Sequence, residues 1–450
     1  MGKLFGTDGI RGIVNETLNA ELAFEVGCAA AQVLAKNTGK QKPLFLIGKD
    51  TRISSDLLEG ALVAGLCSAG ADVLHLGVIP TPGVAYLTIH NKADAGIVIS
   101  ASHNPFEHNG IKIFNAQGFK LSDTLENEIE DIVLFNKKPP LCKGADIGKV
   151  TYCDDREANA YIDYLVDTVD TDFSGLRILV DCANGASAAT APQLFARFQK
   201  LHADIINAAP NGININLNCG STHIDHLAQQ VVAGKYDLGI AFDGDADRCL
   251  AVDENGNLID GDQIMAVCGM ELENRGELSS HTLVATVMSN LGFHIFAKEH
   301  GLNLVCTAVG DRNVLEEMEQ GGFSLGGEQS GHTIFRKFAT TGDGELTALQ
   351  FLATLHKWGK KPSEAVSSCK RYPQTLLNVE VATKEKKEEI MGSACLQEAI
   401  KKAEDELADQ GRVLVRPSGT EPLVRVMVEA QEEAIALAQA EKLANIIKSI

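Results

Sequence analysis

The chain has 450 residues, of which 45 % are hydrophobic and 22 % charged, and carries a formal net charge of -20. That length predicts about three or four domains of ordinary size with ample core, and the acidic balance argues against nucleic acid and anionic membranes as partners. No apolar run approaches the ~18 residues that a membrane span needs. Met1-Gly2-Lys3-Leu4-Phe5 leads straight into a motif, so no signal peptide is expected. The eleven cysteines are scattered without CxxC pairs, and Cys67, Cys182 and Cys306 stand in apolar runs. They read as reduced, buried thiols of a cytoplasmic protein rather than as disulfides or a zinc site.

In chain order, the elements repeat as strand, helix, strand. Leu44 to Asp50 reads as a strand, Asp56 to Ala69 as a helix and Asp72 to Leu76 as the next strand, a succession that implies mixed or parallel sheets flanked by helices. Ala95-Gly96-Ile97-Val98-Ile99 reads as a short buried strand, and Asn104-Pro105 forces a turn just beyond it. Ser102 therefore stands at a strand's carboxyl end, where open α/β sheets place their ligands, as a hydroxyl that can be phosphorylated and presented. His103 follows it, and Lys112 lies ten residues further on in Asn109-Gly110-Ile111-Lys112. A polar stretch from Asn136 to Gly148 marks a first boundary.

Arg177 to Asn184 opens a second unit, and Leu238-Gly239-Ile240-Ala241-Phe242 ends in Asp243-Gly244-Asp245-Ala246-Asp247-Arg248. Three carboxylates within five residues repel one another unless a cation or full solvation relieves them. Oxygen ligands in this number suit one magnesium ion better than calcium. The spacing imitates an EF-hand loop, but Arg248 occupies the position that needs glycine, and Cys249 to Asp253 turns back through Glu254-Asn255-Gly256-Asn257 as a β-hairpin, leaving no helix for that motif. Asp260-Gly261-Asp262 marks a second boundary.

A third unit holds Thr282 to Val287, a helix from Gly292 to His300 and a strand at Asn303 to Cys306. It also holds Gly326-Gly327-Glu328-Gln329-Ser330-Gly331-His332, where glycines let backbone approach a ligand and Glu328, Ser330 and His332 can hydrogen-bond a sugar or an amine. Beyond a boundary near Ser367 to Pro373 the pattern changes. Strands around Leu376 to Val381, a long charged helix from Lys384 to Ala408 and a closing helix from Glu432 to Lys448 read as an α+β domain. Between the helices, Arg416-Pro417-Ser418-Gly419-Thr420-Glu421-Pro422 supplies a guanidinium, hydroxyls and a glycine-freed amide, the parts of a phosphate cradle. Arg425 alternates on the next strand and either reaches the same anion or makes a surface ion pair. The expected architecture is three related mixed α/β domains (1–145, 146–260 and 261–370) plus a smaller C-terminal α+β domain (371–450).

These four motifs, in this order, resemble the α-D-phosphohexomutase superfamily over residues 5 to 428. Phe5-Gly6-Thr7-Asp8-Gly9-Ile10-Arg11-Gly12 and the Gln329 loop are similar to the branch of it that handles glucosamine phosphates. One departure is visible: Ala246 replaces a glycine, so the loop must hold a negative φ there or bear strain. The resemblance implies four domains around a central cleft, each contributing one motif. It also implies interconversion of glucosamine 6-phosphate and glucosamine 1-phosphate, a step toward UDP-N-acetylglucosamine and cell-wall precursors, by way of a covalent phosphate on Ser102 and a sugar 1,6-bisphosphate.

On that resemblance, magnesium is held by Asp243, Asp245, Asp247 and an oxygen of phosphorylated Ser102, while Arg11 and Arg248 stabilise the transferring group. Lys112 matches the family's candidate base, which requires its pKa to be lowered; as an ordinary lysine it would be a solvated strand residue. His103 positions the loop or phosphate, or is a plain turn histidine. Glu328, Ser330 and His332 take the sugar, with Glu328 open to a protonated amine or to neutral hydroxyls. Arg416, Ser418, Gly419, Thr420 and Arg425 take the distal phosphate. Arg11, Lys112, Arg248, Arg312 and Arg416 are expected to converge as local positive charge in an acidic chain. The alternatives are a phosphomannomutase/phosphoglucomutase of broader sugar specificity, a phosphosugar phosphatase and a sugar-phosphate sensor. A homodimer is possible, although nothing in the sequence identifies an interface.

Overall fold

The computed structural model describes all residues except 1–3, 7, 136, 138, 139, 382 and 419–422. The described chain forms two compact units, Met1–Met288 with Leu302–Ser367, and Ser289–Gly301 with Ser368–Ile450.

The first unit carries three sheets. The first sheet is built from β1 (Ile10–Ile13), α1 (Ala20–Thr38), β2 (Leu44–Lys49), α2 (Ser55–Ser68), β3 (Asp72–Val78), α3 (Thr81–His90), β4 (Ala95–Ile99), β5 (His108–Asn115), α4 (Asp123–Leu134) and β6 (Val150–Tyr152). Its order is β1-β5-β4-β2-β3-β6, parallel from β4 to β6 and antiparallel at β5 and β1. Every residue of β4 is buried, as a strand covered on both faces requires.

The second sheet follows α5 (Arg156–Val166) and uses β7 (Arg177–Asp181), α6 (Ala191–Ala196), β8 (His202–Ile206), α7 (Ile224–Gly234), β9 (Leu238–Phe242), β10 (Cys249–Asp253) and β11 (Leu258–Ile259), in the order β11-β10-β9-β7-β8. The hairpin expected after the acidic loop is the antiparallel pair of β10 and β11, and β10 also pairs antiparallel with β9. Next comes α8 (Gly261–Asn274), started by a capping box between Asp260 and Gln263, which satisfies two of its free N–H groups. The third sheet is β13-β12-β14-β15, from β12 (Thr282–Thr286), β13 (Asn303–Thr307), β14 (Leu325–Gly327) and β15 (Thr333–Phe335). The helix between β12 and β13, α9 (Leu291–Glu299), belongs to the second compact unit, whereas α10 (Asp311–Gly321), α11 (Gly344–Trp358) and α12 (Pro362–Ala365) remain in the first.

In the second unit β16 (Gln374–Glu380), β18 (Leu423–Ala430) and β17 (Gly411–Pro417) form an antiparallel sheet in that spatial order. Against it pack α13 (Lys384–Met391), α14 (Ala394–Leu407) and α15 (Glu433–Ser449). Buried Glu429 accepts from the Asn290 side chain at 3.0 Å and the Leu291 amide at 2.9 Å, so the sheet itself caps α9 and ties it into this unit.

Two expectations are corrected here. The single helix expected from Lys384 to Ala408 is two, α13 and α14, because Gly392 is a poor helix former and Ser393 favours starting a new helix. Cys306 is exposed rather than buried, since β13 is the edge strand of its sheet. Among the described residues the cysteines form no disulfide, and no helix is long and apolar enough to cross a membrane.

The two glycines of α2 give a paired test. A Cβ at Gly65 would collide with the carbonyl oxygen of Phe24 in α1, whereas one at Gly60 meets nothing within 4 Å. Gly60→Ala is therefore expected to raise stability by about 0.5–1 kcal/mol through helix propensity. Gly65→Ala is expected to lower it by about 1–3 kcal/mol through overpacking. Urea unfolding of both variants checks this, and equal shifts would contradict the close helix crossing.

Candidate active site

Loops at the carboxyl ends of β4 and β9 meet at the centre of the first unit. Three consecutive carbonyls of the acidic loop are tied to three different places. Gly244 accepts from the amide of Ala186 at 2.8 Å, Asp245 from Thr81 at the start of α3 at 2.9 Å, and Ala246 from Gly344 at the start of α11 at 2.9 Å. The positive ends of α3 and α11 thus point at the acidic loop, which favours negative charge there. Ala246 has φ +56, so of the two expected outcomes the loop takes the strained one, at a cost of about 1–2 kcal/mol for a residue with a Cβ.

The carboxylates of Asp243, Asp245 and Asp247 are all buried, with ligand atoms within 4.8 Å of one another. One oxygen each of Asp245 and Asp247 is buried without a hydrogen-bond partner. Burial, then the neighbouring charges of Asp247 and Asp245, push the pKa of Asp243 well above the usual carboxylate range. Buried carboxylate oxygens without a hydrogen-bond partner call for a compensating positive charge, so the residues fit a hard divalent ion.

Ser102 is buried, and its hydroxyl donates to Asp243 Oδ2 at 2.5 Å. His103 Nδ1 lies 3.4 Å from the same hydroxyl. Burial, with Arg248 and Arg11 nearby, pushes the pKa of His103 down to about 4, leaving the ring neutral at pH 7.

Lys112 stands on β5 and is wholly buried, 2.9 Å from Asp245, 3.3 Å from Asp8 and 3.7 Å from Asp247. Burial alone would lower its pKa, but Asp245, Asp8 and Asp247 together outweigh burial and hold it above its ordinary value. These contacts favour the protonated form, whereas the expected base role requires the opposite shift. Asp8 also pairs with Arg11 and Lys120, and Lys120 with Asp311. The amide of Arg248 donates to Asp243 at 3.2 Å, and its Nε lies 3.8 Å from Asp247. The Nε atoms of Arg11 and Arg248 are buried without a hydrogen-bond partner, and so are donors held ready for an anion.

The β14–β15 turn brings His332 beside this cluster, with Nδ1 3.6 Å from Asp247 and Nε2 accepting from the Gly342 amide at 3.0 Å. That backbone bond leaves the proton on Nδ1, facing the carboxylate. Glu328 accepts from the Gly310 amide at 3.2 Å and from the Ser330 hydroxyl at 3.4 Å. Gln329 turns away and donates to Asp260, the cap of α8, at 3.2 Å. A cavity of about 540 Å³ opens beside His332, lined by Lys120, Asp311 and Arg312 among others. Arg312 lines that cavity with its guanidinium held against α4 by Asp123, the Leu121 carbonyl and Glu126.

In the second unit, Arg416 and Arg425 stand directly opposite each other on β17 and β18. Burial, then the charge of Arg425, lowers the pKa of Arg416. Two guanidiniums in that register repel unless an anion lies between them. Ser418 is buried and its amide donates to the Leu423 carbonyl at 2.9 Å. Gly419 and Thr420 lie outside the described residues.

Sequence reasoning missed Asp8, Lys120, Asp311, Thr81 and the pair Asp50 and Arg52. The Thr81 hydroxyl donates to Asp245 Oδ2 at 2.7 Å. Asp50 and Arg52 follow β2, which pairs in parallel with β4, so the strand-end rule that found Ser102 could have found them too.

Models of the phosphoglucomutase/phosphomannomutase family match four successive stretches. They are its α/β/α domain I at residues 2–139, α/β/α domain II at 159–256, α/β/α domain III at 260–372 and C-terminal domain at 376–446. The phosphoglucosamine mutase of Caldanaerobacter subterraneus is 53 % identical over 100 % of this chain and 99 % of its own. A phosphoglucomutase/phosphomannomutase family protein from Burkholderia thailandensis has the same fold, with a TM-score of 0.82 at 23 % identity over 100 % of this chain and 98 % of its own. The N-acetylphosphoglucosamine mutase of Aspergillus fumigatus, crystallised with GlcNAc-6P and magnesium, aligns with a TM-score of 0.69 at 19 % identity over 99 % of this chain and 95 % of its own. The chain belongs to the α-D-phosphohexomutases and, within them, to the phosphoglucosamine mutase group. It is an isomerase.

Asp343 caps α11, accepting from the Leu346 amide at 2.9 Å and the Tyr161 hydroxyl at 2.8 Å. Burial, only partly offset by these bonds, raises its pKa to about 6. The native value stands above the unfolded value of ~3.9, so this group's contribution is present in full below pH ~4 and lost as pH rises through 6. Asp343→Asn removes that loss. Its stability relative to the parent is expected to rise by about 2–3 kcal/mol between pH 4 and 7 in urea unfolding, and a constant difference across that range would contradict the assignment.

Proposed function

We propose that the chain interconverts glucosamine 6-phosphate and glucosamine 1-phosphate, with Ser102 as a carrier of phosphate. The observation that carries this reading is the Ser102 hydroxyl 2.5 Å from Asp243 within a buried carboxylate triad. The name of the 53 % identical relative supports the glucosamine sugar. One phosphate cannot pass directly between the two ends of a sugar at a single site. Phosphorylated Ser102 therefore gives its group to O1, the resulting 1,6-bisphosphate turns around, and the 6-phosphate returns to Ser102. The Oγ–P bond broken in the first transfer is re-formed in the second, so the enzyme ends as it began. The product leads toward UDP-N-acetylglucosamine, and cysteines without disulfides suit work in the cytoplasm.

Asp243, Asp245 and Asp247 are the residues that would hold magnesium, which when bound neutralises charge on the transferring phosphoryl group. Lys112 supplies positive charge beside the triad, while Arg11 and Arg248 offer their unsatisfied Nε donors to phosphate oxygens. Neutral His103 donates or accepts beside Ser102 without adding charge. Glu328, Ser330 and His332 orient the sugar in either direction, next to a cavity of a size that holds small ligands. Glu328, within 3.4 Å of the Ser330 hydroxyl, is the group that would prefer a protonated 2-amine. Arg416, Arg425 and Ser418, with Gly419 and Thr420, bind the phosphate that is not reacting.

A coupled mutase assay with magnesium tests this, offering glucosamine 6-phosphate, glucose 1-phosphate and mannose 1-phosphate in parallel. The expected result is a preference for glucosamine above about tenfold, and equal use of all three would support the broader hexomutase reading. Ser102→Ala is expected to lose activity by about 10³-fold or more and to lack the phosphate-sized mass expected on the parent chain; undiminished activity would refute the carrier. Chelation is expected to abolish turnover and added magnesium to restore it.

A further inference from the structure

Arg52 touches neither the acidic triad nor the sugar-facing residues, yet it is bound to the backbone that presents Ser102. Its side chain is fully buried, with Nε donating to Asp50 Oδ2 at 2.9 Å. One terminal nitrogen donates to the carbonyls of Ser102 at 2.8 Å and Asn104 at 2.9 Å, and the other donates to the carbonyl of Pro105. Asp50 is itself held by the Ser100 hydroxyl at 2.6 Å, the Ser55 hydroxyl at 3.1 Å and the Arg52 amide at 3.0 Å. The Ser100 oxygen in turn accepts from the amide of Ser102 at 2.9 Å.

Both backbone polar groups of Ser102 therefore end in one Asp50–Arg52 pair. A second donor comes from the next domain, where Asn216 Nδ2 reaches the Ser102 carbonyl at 2.9 Å and the Asn104 carbonyl at 3.2 Å. What this holds is an unfavourable backbone, since Ser102 has φ +51. A residue with a Cβ stays in that region only where its surroundings over-determine it.

We propose that Arg52 is a positioning residue for phosphoryl transfer, clamping the Ser102 loop in the left-handed turn that directs Oγ at Asp243. The inference rests on the reading of Ser102 as carrier. Arg52→Lys keeps the charge and can still meet Asp50, but an ammonium cannot fork to three carbonyls as a planar guanidinium does. The loop then leaves its register, which slows transfer while the sugar-binding groups stay in place.

The test compares the parent, Arg52→Lys, Asn216→Ala and Ser102→Ala in mutase kinetics with glucosamine 6-phosphate. Each protein is charged with glucose 1,6-bisphosphate, its phosphate followed by intact mass, and its unfolding midpoint recorded. For Arg52→Lys, kcat is expected to fall about 10²-fold with KM changed less than about threefold, and a larger share of the enzyme-bound phosphate is expected to pass to water. Asn216→Ala, which removes the other donor to the same carbonyl, is expected to lose about tenfold in kcat with KM unchanged, and it decides the matter should Arg52→Lys not fold. A folded Arg52→Lys with kcat within about threefold of the parent, while Ser102→Ala is inactive, would overturn the clamp alone. So would a rate loss matched by the loss of folded protein, with Asn216→Ala unaffected. An active Ser102→Ala would overturn the carrier reading, and the clamp with it.

Discussion

The first unit depends on burying a triply acidic loop. Gly244, Asp245 and Ala246 each give their carbonyl to a different segment, the turn at Ala186, the start of α3 and the start of α11. Those bonds fix the loop where three sheets come together and leave the carboxylates buried. Isolated carboxylates in such a place would cost several kcal/mol each. They are tolerated because Lys112, Arg248, His332 and the Thr81 hydroxyl stand against them, and the two oxygens still without partners leave room for a cation. The same constraint explains Ala246 at positive φ: a loop anchored on three sides has its backbone dictated from outside.

Charge is balanced locally. The chain carries a net -20, while its expected ligand is an anion. Around the triad the cations form a connected chain with the carboxylates, from Asp245 through Lys112, Asp8 and Lys120 to Asp311. Such alternation lets a buried site hold many charges at short range. It also leaves selected donors, the Nε atoms of Arg11 and Arg248, for whatever anion enters. The second unit solves a similar problem by setting Arg416 and Arg425 face to face across two strands.

Much of this was legible in the sequence wherever it depended on neighbours in the chain. The all-apolar run before Ser102 and the one before Asp243 identified strands and placed both loops at strand ends, and the hairpin after Asp247 followed from the turn residues at Glu254 to Asn257. What depended on partners far along the chain was not legible. Nothing in sequence shows that Lys112 is wholly buried, with Asp8 and Asp245 closing around it from 104 residues before and 133 residues after. The pairing of Arg312 with Asp123 and Glu126 of α4 was equally hidden. Gln329 marked the family, yet its side chain serves the cap of α8. The helix from Lys384 broke at Gly392-Ser393, a local signal that the charged periodicity on either side concealed.

The central claim is that phosphate passes between sugar and enzyme at Ser102. Rapid quenching of the magnesium-loaded, unlabelled phosphoenzyme with glucosamine 6-phosphate labelled at phosphorus tests it directly. The account predicts that the first glucosamine 1-phosphate released is unlabelled at its O1 phosphate, while label appears on the peptide containing Ser102 at the rate of turnover. Label remaining with the sugar through turnover, and never appearing on that peptide, would contradict it.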